Sequence, residues 1–279
     1  MIPVAFDYKK AISVDEALSA LTQGEGKILA GGYSLLPAMK LRLSQPGILV
    51  DISSISSLKG IREENGHLVI GAATTHDAIL TNKLIQEKLP FFTTAAGMIG
   101  DVQVRNRGTI GGSIAHADPA ADWPAPVLAA GGIIDITGPG GTRNVAATEF
   151  FTGLYSTLLA ENEIITAIRL PVPEAGCKMV YLKFPHPASR FAMVGCAVLH
   201  GPSGKTSIAF TGVADHAFRD AGAEEAITGK LLDKAAIERA VNSSTLNSVH
   251  VMGDQFASVE YRRHLAKIYL KRALEAVSA

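Results

Sequence analysis

Two short stretches of the sequence place a glycine pair between an apolar run and a hydroxyl residue. The first is Ala-Gly-Gly-Tyr-Ser at residues 30–34, and the second is Thr-Ile-Gly-Gly-Ser at residues 109–113. Because glycine lacks a Cβ and reaches positive φ cheaply, each pair lets the backbone bend tightly and approach another group closely. We expect the two stretches to form one site.

Turns of this kind are suited to binding phosphate. A strand that ends in a glycine pair and opens into a helix directs backbone N–H groups, and the positive end of the helix dipole, at one place. Two such turns could hold a diphosphate from both sides, as a dinucleotide requires, although either turn alone is equally well explained as a tight loop. Neither stretch has the spacing of a P-loop or of a Rossmann turn, so a nucleotide would be bound by another fold.

Composition narrows the possible function classes. The chain has 279 residues, enough for two domains, and its 26 basic side chains balance 26 acidic ones, which disfavours nucleic acid and anionic membranes as partners. Cys177 and Cys196 are too few cysteines for an iron–sulfur cluster or a four-thiolate zinc site, so any redox metal would belong to another chain. Residues 1–10 lack a secretory signal pattern and no apolar run could span a bilayer, which predicts a cytoplasmic protein.

Residues 1–173 are predicted to form a first domain in two parts. In the first part, to about residue 55, a capping box at Ser13 opens a helix. A strand, the first glycine stretch, a helix that Ser34 can cap and a second strand follow between residues 27 and 52. In the second part, 56–173, the patterns predict strands at 67–72 and 163–170, a hairpin at 131–142, and helices beginning at Thr75, at 84–99 and at 124–130.

The Pro171-Val172-Pro173 sequence predicts a domain boundary. Beyond it, residues 177–279 are predicted to form a smaller domain: a three-stranded antiparallel sheet at 179–184, 193–201 and 207–213, with helices at 221–228, 233–243 and 258–277. Basic residues of the last helix, Arg262 among them, are assigned to its wetter face. The fold class is therefore α+β.

The motifs resemble those of a known family. The first glycine stretch with its continuation to Arg42, and the second stretch with Asp-Pro-Ala-Ala-Asp at 118–122, look like the FAD-binding medium subunit of molybdenum hydroxylases, the group of carbon monoxide dehydrogenase and xanthine dehydrogenase. The likeness covers nearly the whole chain, and the two motifs in this order and spacing are highly specific. It implies a two-part FAD-binding domain of the PCMH-like, vanillyl-alcohol-oxidase type, followed by the smaller sheet-and-helix domain.

The resemblance also implies which residues contact FAD. The backbone of both stretches would hold the diphosphate and the ribityl chain, and Asp122 would hydrogen-bond the cofactor. Lys183 would approach the isoalloxazine ring, where its charge would stabilise the anionic reduced flavin. The expected cofactor residues are Leu29, Ala30, Gly31, Gly32, Tyr33, Ser34, Leu35, His76, Thr109, Ile110, Gly111, Gly112, Ser113, Asp122, Ile165, Lys183 and Phe191. No catalytic residue and no metal ligand is expected in this chain.

Some of these assignments have plain alternatives. His76 could be a capping or buried histidine, and Lys183 could be a solvated lysine at the end of a strand. Phe191 could cover the flavin ring by stacking. The stretch around it departs from the commoner family pattern, with His186 and Arg190 in place of an arginine pair before an Asp-Tyr or Asp-Phe step. The exposure of the flavin and the identity of its electron acceptor therefore stay open.

The family implies an electron-transfer subunit. Substrate would be hydroxylated at the molybdopterin cofactor of a large subunit, electrons would cross two [2Fe–2S] clusters of a small subunit, and FAD in this chain would pass them to an external acceptor, in a dimer of heterotrimers. Two alternatives remain. A free-standing FAD oxidoreductase would need a general acid or base beside the flavin, for which the sequence offers no convincing candidate. A non-catalytic nucleotide-binding scaffold would bind no flavin.

Overall fold

The computed structural model describes residues 2–22 and 25–278, which form a mixed arrangement of helices and strands. The strands are β1 (Asp7–Lys10), β2 (Gly26–Leu29), β3 (Ile48–Asp51), β4 (Ile61–Glu64), β5 (His67–Gly71), β6 (Ile133–Gly138), β7 (Gly141–Ala146), β8 (Phe151–Gly153), β9 (Ser156–Thr157), β10 (Ile164–Pro171), β11 (Lys178–Pro185), β12 (Ala192–His200), β13 (Thr206–Thr211) and β14 (Phe218–Arg219). The helices are α1 (Val14–Leu21), α2 (Leu35–Lys40), α3 (His76–Thr81), α4 (Lys83–Lys88), α5 (Pro90–Met98), α6 (Val102–Arg107), α7 (Ile110–His116), α8 (Pro124–Ala129), α9 (Ala147–Phe150), α10 (Ala221–Ile227), α11 (Lys234–Ser243) and α12 (Val259–Ser278). Across these residues, no helix combines the length and apolarity needed to cross a membrane.

The N-terminal part is a three-stranded parallel sheet in the order β1-β3-β2. Helix α1 packs on it and begins with a variant of the predicted capping box: Ser13 Oγ accepts from Glu16 N at 3.1 Å, while the Glu16 carboxylate accepts from Ile12 N, one residue before the N-cap, at 2.9 Å. The reciprocal bonds satisfy N–H groups that the first helical turn and its approach would otherwise leave unpaired. Strand β2 then leads directly into the first glycine stretch.

The middle part is a five-stranded antiparallel sheet in the order β4-β5-β10-β6-β7. The predicted hairpin is confirmed as β6 and β7, which pair from Ile133 to Ala146. Helices α3 to α8 follow β5 in the chain, and the largest apolar core lies among them and the sheet, centred on Phe91, Phe92 and Trp123. Burying such large aromatic side chains is the main stabilising contribution to this part.

The C-terminal part is an antiparallel sheet in the order β11-β12-β13-β14, with α12 packed on β11 and β12. The three predicted strands are present, and the short β14 adds a fourth. The assignment of Arg262 to a wet face is wrong, because its side chain is buried and Nη1 donates to Gly212 O at 2.8 Å. The loop before α12 also turns back over this position, where Asp254 accepts from the same guanidinium.

Three local features differ from the sequence expectations. The second glycine stretch is preceded by a helix, α6, because Asp101 caps it by accepting from Val104 N at 2.9 Å. Helix α7 begins inside that stretch, with Thr109 as its N-cap. The helix expected at 84–99 is split into α4 and α5, since Pro90 cannot continue a helix but suits the first position of a new one.

Candidate functional site

The structure places the two glycine stretches against each other. A Cβ built on Gly31 would lie 2.2 Å from the carbonyl oxygen of Arg107 and 2.8 Å from Cα of Gly108, which directly precedes the second stretch. A Cβ built on Gly112 would lie 3.9 Å from the Cβ of Ala30. No side chain fits at residue 31, so glycine is what lets the two backbones meet. Residues 30–35 and 108–113 are called the glycine junction below.

The first stretch offers unpaired backbone donors. It connects β2 to α2, and Gly32 adopts φ of 81° within it. Among the described residues, the N–H groups from Gly31 to Leu35 have no acceptor in the protein, and the first bond after them is Leu36 N to Gly32 O at 3.0 Å. Ser34 makes no side-chain cap, contrary to expectation, because its backbone is already helical. Consecutive free N–H groups in a tight turn are suited to binding anionic oxygens.

The second stretch, in contrast, uses four of its five backbone donors within the protein. They pair with the connection between β5 and α3 and with the N-cap residue of α7. The bonds are Ile110 N to Thr74 O at 3.1 Å, Gly111 N to Ala72 O at 2.9 Å, Gly112 N to Thr109 Oγ1 at 3.2 Å and Ser113 N to Thr109 O at 3.0 Å. The two stretches were expected to contribute alike, but the consecutive free donors lie on the first one, and among the described residues the second leaves only the N–H of Thr109 without an acceptor.

The glycine at 111 is explained by packing of the protein itself. A Cβ there would lie 2.5 Å from the Cβ of Ala72 and 2.7 Å from its carbonyl oxygen, so glycine is required for α7 to rest on the end of β5. Gly112, by comparison, is exposed, and the nearest atom to a Cβ there would be Thr109 Oγ1 at 2.8 Å. Of this pair, only Gly112 is exposed, and its N–H is already bonded to the Thr109 hydroxyl.

Asp122 and Lys183 form a buried ion pair. Nζ of Lys183 donates to Oδ2 of Asp122 at 2.8 Å and to the carbonyl oxygen of Met98 at 3.1 Å, and the two charged side chains are only 2% and 5% exposed. The hydroxyl of Tyr181 donates to Oδ1 of Asp122 at 2.6 Å. The alternative that Lys183 is a solvated strand-end lysine is therefore wrong.

The electrostatics of this cluster follow from its burial. Burial raises the pKa of Asp122, against the opposing effects of the Lys183 ammonium and of the hydrogen bonds that Asp122 accepts. Burial and the neighbouring carboxylate raise the pKa of Tyr181, so its phenol keeps the proton and stays a donor. An ammonium has three N–H donors and two are used here, which leaves one for a further acceptor.

The segment that carries Asp122 is fixed by the C-terminal sheet. Ala192 N donates to Ala120 O at 3.0 Å, and Gly212 N donates to Pro119 O at 2.6 Å. The hydroxyl of Thr211 lies 2.7 Å from the carbonyl oxygen of Ala121. The position of Asp122 thus depends on contacts between parts of the chain that are some 70 to 90 residues apart.

His76 is buried at the start of α3, as the plainer sequence alternative held. Its Nδ1 accepts from Trp123 Nε1 at 3.0 Å, and its own backbone N donates to Gly108 O at 3.0 Å. Burial lowers the pKa of His76 to about 4, so the ring is neutral at neutral pH. His76 is therefore in direct contact with Gly108, the first residue in the second half of the glycine junction.

Ile165 and Phe191 occupy different settings. Ile165 is buried in the core of the middle part, next to the bulge in β10. Phe191 is 46% exposed at the end of a tight loop in which His186 N donates to Phe191 O at 2.8 Å and Arg190 has φ of 62°. Phe191 is thus partly exposed beside the segment that leads to Asp122, since Ala192 is bonded to that segment.

Sequence reasoning missed two participants in this site, Tyr181 and the carbonyl oxygen of Met98, and it assigned Trp123, which follows Asp122, only to packing beneath the loop. Buried tyrosine and tryptophan usually find a hydrogen-bond partner, so both residue types were a usable signal. No pattern could have identified the Met98 carbonyl, because Lys183 reaches it across 85 residues of sequence. Within residues 2–22 and 25–278, no cluster of metal-ligating side chains accompanies the site.

The donor set of the glycine junction fits a dinucleotide such as FAD. A diphosphate needs several N–H donors at one place, which residues 31–35 supply, and Gly31 allows the two stretches to meet there. A flavin ring is tuned by a nearby fixed charge, and Lys183 is fixed from two sides.

Two family models match the chain. The FAD binding domain in molybdopterin dehydrogenase matches residues 4–173, and the CO dehydrogenase flavoprotein C-terminal domain matches residues 179–277. The carbon monoxide dehydrogenase medium chain of Hydrogenophaga pseudoflava is 41% identical over 285 residues, which cover 100% of this chain and 99% of that protein. The xanthine dehydrogenase FAD-binding subunit of Escherichia coli O157:H7 is 31% identical and covers 98% of this chain and 96% of that one.

Solved structures are similar over the full length as well. A carbon monoxide dehydrogenase from Hydrogenophaga pseudoflava that lacks the Mo-pyranopterin moiety of the molybdenum cofactor aligns with a TM-score of 0.95 at 42% identity, covering 99% of this chain and 98% of that chain. Quinoline 2-oxidoreductase from Pseudomonas putida 86 aligns with a TM-score of 0.92 at 29% identity, covering 100% and 98%. The α+β fold, with an FAD-binding domain and a C-terminal domain, is therefore confirmed.

Proposed function

Because the chain belongs to the family of FAD-binding medium subunits of the molybdenum hydroxylases, we propose that it binds FAD at the glycine junction and transfers electrons to an external acceptor. The electrons would come from the [2Fe–2S] clusters of a small partner subunit, after substrate is oxidised at the molybdopterin cofactor of a large one. The observation that carries the proposal is the meeting of the two glycine stretches, with free backbone donors from Gly31 to Leu35.

The glycine junction would hold the diphosphate and the adjoining ribityl chain. The free N–H groups of the first stretch would donate to anionic oxygens, and Gly32 allows the turn that carries them because it adopts φ of 81°. When bound, FAD supplies the ability to accept electrons singly and to release them as a pair. The proposed cofactor residues are the set given above, in which Ile110 and Gly111 fix the second stretch by their bonds to Thr74 and Ala72, and Leu29 and Ile165 are apolar neighbours.

Lys183 would set the charge next to the flavin ring. Asp122 and the Met98 carbonyl hold the ammonium in one position, and Tyr181 occupies the other carboxylate oxygen. A positive charge held in this way favours the anionic reduced form of a flavin and so raises its reduction potential. Phe191 would cover the ring by stacking, because its side chain is partly exposed.

The proposed assembly is a dimer of heterotrimers in the cytoplasm. The relatives named above include a medium chain and an FAD-binding subunit of larger enzymes, and this chain covers nearly their whole length. We also propose the division of the chain into an FAD-binding domain at 1–173, in parts meeting near residue 55, and a C-terminal domain at 177–279. A separate apolar core within residues 180–277 supports the C-terminal domain, while the largest core joins both domains through Tyr181, Ala197 and Ala209.

Purification of the tagged chain from its native host tests the proposal. We expect a flavin absorbance spectrum, together with an iron–sulfur subunit and a molybdopterin subunit in the same fraction. A lone chain with full oxidoreductase activity would favour the free-standing enzyme instead. Failure of the folded chain to bind FAD after reconstitution would contradict the proposal and favour a non-catalytic scaffold.

A further inference from the structure

His76 and Trp123 form a buried pair whose hydrogen bond fixes the position of a proton. Both side chains are buried, their ring centroids are 5.7 Å apart, and Trp123 Nε1 lies 3.0 Å from His76 Nδ1. The indole N–H can only donate, so Nδ1 must be the accepting, unprotonated nitrogen. A neutral imidazole with this pairing carries its hydrogen on Nε2.

Nε2 of His76 lies where the two glycine stretches meet. A Cβ built on Gly108 would lie 2.6 Å from this nitrogen, and Cα of Gly108 would lie 2.8 Å from a Cβ on Gly31. The backbone N of His76 also donates to Gly108 O at 3.0 Å, which fixes the ring relative to the junction. Any side chain at position 108 would displace the imidazole, so Gly108 keeps this nitrogen at the junction.

The Nε2–H group is unpaired and reaches the surface. It has no acceptor among residues 2–22 and 25–278. Among those residues, the side-chain N and O atoms that are fully buried and lack a hydrogen-bond partner are Thr93 Oγ1, Arg105 Nε, His186 Nε2 and Arg262 Nε. His76 Nε2 is not one of them, so this atom is in contact with solvent. A ring that is 5% exposed therefore presents one free donor. Such a donor on a buried ring is costly unless a ligand or water accepts from it.

We propose that Trp123 is a positioning residue that holds His76 as the Nε2–H tautomer, and that this N–H donates to an oxygen of FAD bound at the glycine junction. The inference rests on the proposed function, and it adds a side-chain donor to the backbone donors of residues 31–35. The lowered pKa of His76 supports it, because the ring stays a neutral donor of fixed direction at neutral pH. Trp123 acts only through His76, since its N–H is used by Nδ1.

The tautomer is tested directly by NMR of the full-length chain labelled with ¹⁵N-histidine. We expect His76 to show a protonated Nε2 and an unprotonated Nδ1, with or without FAD. Trp123→Phe keeps a ring in the core but removes the donor, so the two tautomers should become mixed. Phe92→Leu is the matched control, because Phe92 packs on Trp123 with centroids 5.6 Å apart and takes no part in the hydrogen bond. A protonated Nδ1 in the unaltered protein would overturn the inference.

The contact with FAD is tested by affinity in a double-mutant cycle. His76→Phe and Trp123→Phe should each weaken FAD binding by roughly two- to tenfold, the range for one hydrogen bond. Trp123→Phe should have no further effect in a His76→Phe background, whereas His76→Gln, which keeps an N–H donor, should recover affinity. Equal affinity of His76→Phe and the unaltered chain, or additive losses, would overturn it.

The two proposals can fail separately. If the unaltered chain binds no FAD, the proposed function is contradicted, while the NMR measurement still decides the tautomer. If the chain binds FAD and the cycle shows no coupling, the proposed function stands and the role of His76 and Trp123 is refuted. A variant that melts below the assay temperature is measured at a lower temperature at which it is folded, beside His76→Gln, which keeps a donor, and Phe92→Leu, which loses packing only.

Discussion

Asp122→Asn should destabilise the protein strongly, because it removes the charge opposite a buried ammonium while keeping the shape of the side chain. The Lys183 Nζ to Asp122 Oδ2 distance is 2.8 Å, and the two side chains are 2% and 5% exposed. Breaking such a buried pair costs about 3–5 kcal/mol, whereas an exposed pair contributes at most about 1 kcal/mol. A chain of this length that unfolds as one unit has an unfolding entropy of about 0.6 kcal/mol/K, so the melting temperature should fall by about 5–8 °C.

Thermal and urea unfolding, followed by circular dichroism, measure the effect in Asp122→Asn, Lys183→Met and the double variant. The double variant has no buried charge at this site, so we expect it to recover part of the loss, with a coupling energy of about 2 kcal/mol or more. Glu64→Gln is the matched control, because it breaks an exposed pair with Arg62 and should change stability by less than about 1 kcal/mol. A loss below about 1 kcal/mol for Asp122→Asn, or additive losses in the double variant, would refute the reasoning.

Three further predictions concern stability. Tyr181→Phe removes the 2.6 Å bond to the buried carboxylate and should cost about 1–3 kcal/mol in urea unfolding; no change in midpoint would contradict that role. Since the pKa of His76 falls from 6.5 to about 4 on folding, protons bind the unfolded chain preferentially. The contribution of His76 to the free energy of unfolding is therefore complete above pH 6.5 and falls by up to about 3 kcal/mol as the pH is lowered towards 4. In His76→Gln, this part of the dependence of stability on pH should be absent. Gly111→Ala should lower the melting temperature even without FAD, because its Cβ would lie 2.5 Å from Ala72; Gly97→Ala, whose nearest contact is an ordinary 3.6 Å, should not.

Much of the fold could be predicted from the sequence because the signals for these elements are local. The capping box at Ser13 uses residues three apart, and the hairpin of β6 and β7 pairs neighbouring segments around a glycine turn. The split of the helix at Pro90 could not be predicted, because a proline can either interrupt a helix or begin one. Strand β14 could not be predicted because it has only two residues, which form no periodic pattern. Arg262 was misplaced for a related reason: the loop that covers it lies outside its helix.

The sequence allowed the residues of the site to be predicted, but not how they are arranged or which contacts they make. Both glycine stretches were found from their composition, yet only coordinates reveal that the N–H of Gly111 is already bonded to Ala72 while those of residues 31–35 are free. Asp122 and Lys183 were each assigned to the cofactor, and their mutual bond spans 61 residues of sequence. Contacts of that range depend on tertiary packing, for which a single sequence carries no periodic signal.

The central claim is that the first glycine stretch binds FAD through its backbone, and a paired glycine substitution tests it most directly. Gly32 and Gly66 have similar positive φ values, 81° and 74°, so valine strains the backbone at both positions. Only Gly32 belongs to the glycine junction; a Cβ there would lie 2.9 Å from Leu36 Cδ1, at the end of a flexible side chain, while a Cβ at Gly66 would meet nothing within 4 Å. In a fluorescence titration of the purified full-length variants with FAD, Gly32→Val should lose binding by at least about tenfold and Gly66→Val should bind like the unaltered chain. Unchanged FAD affinity in a folded Gly32→Val protein would contradict the claim.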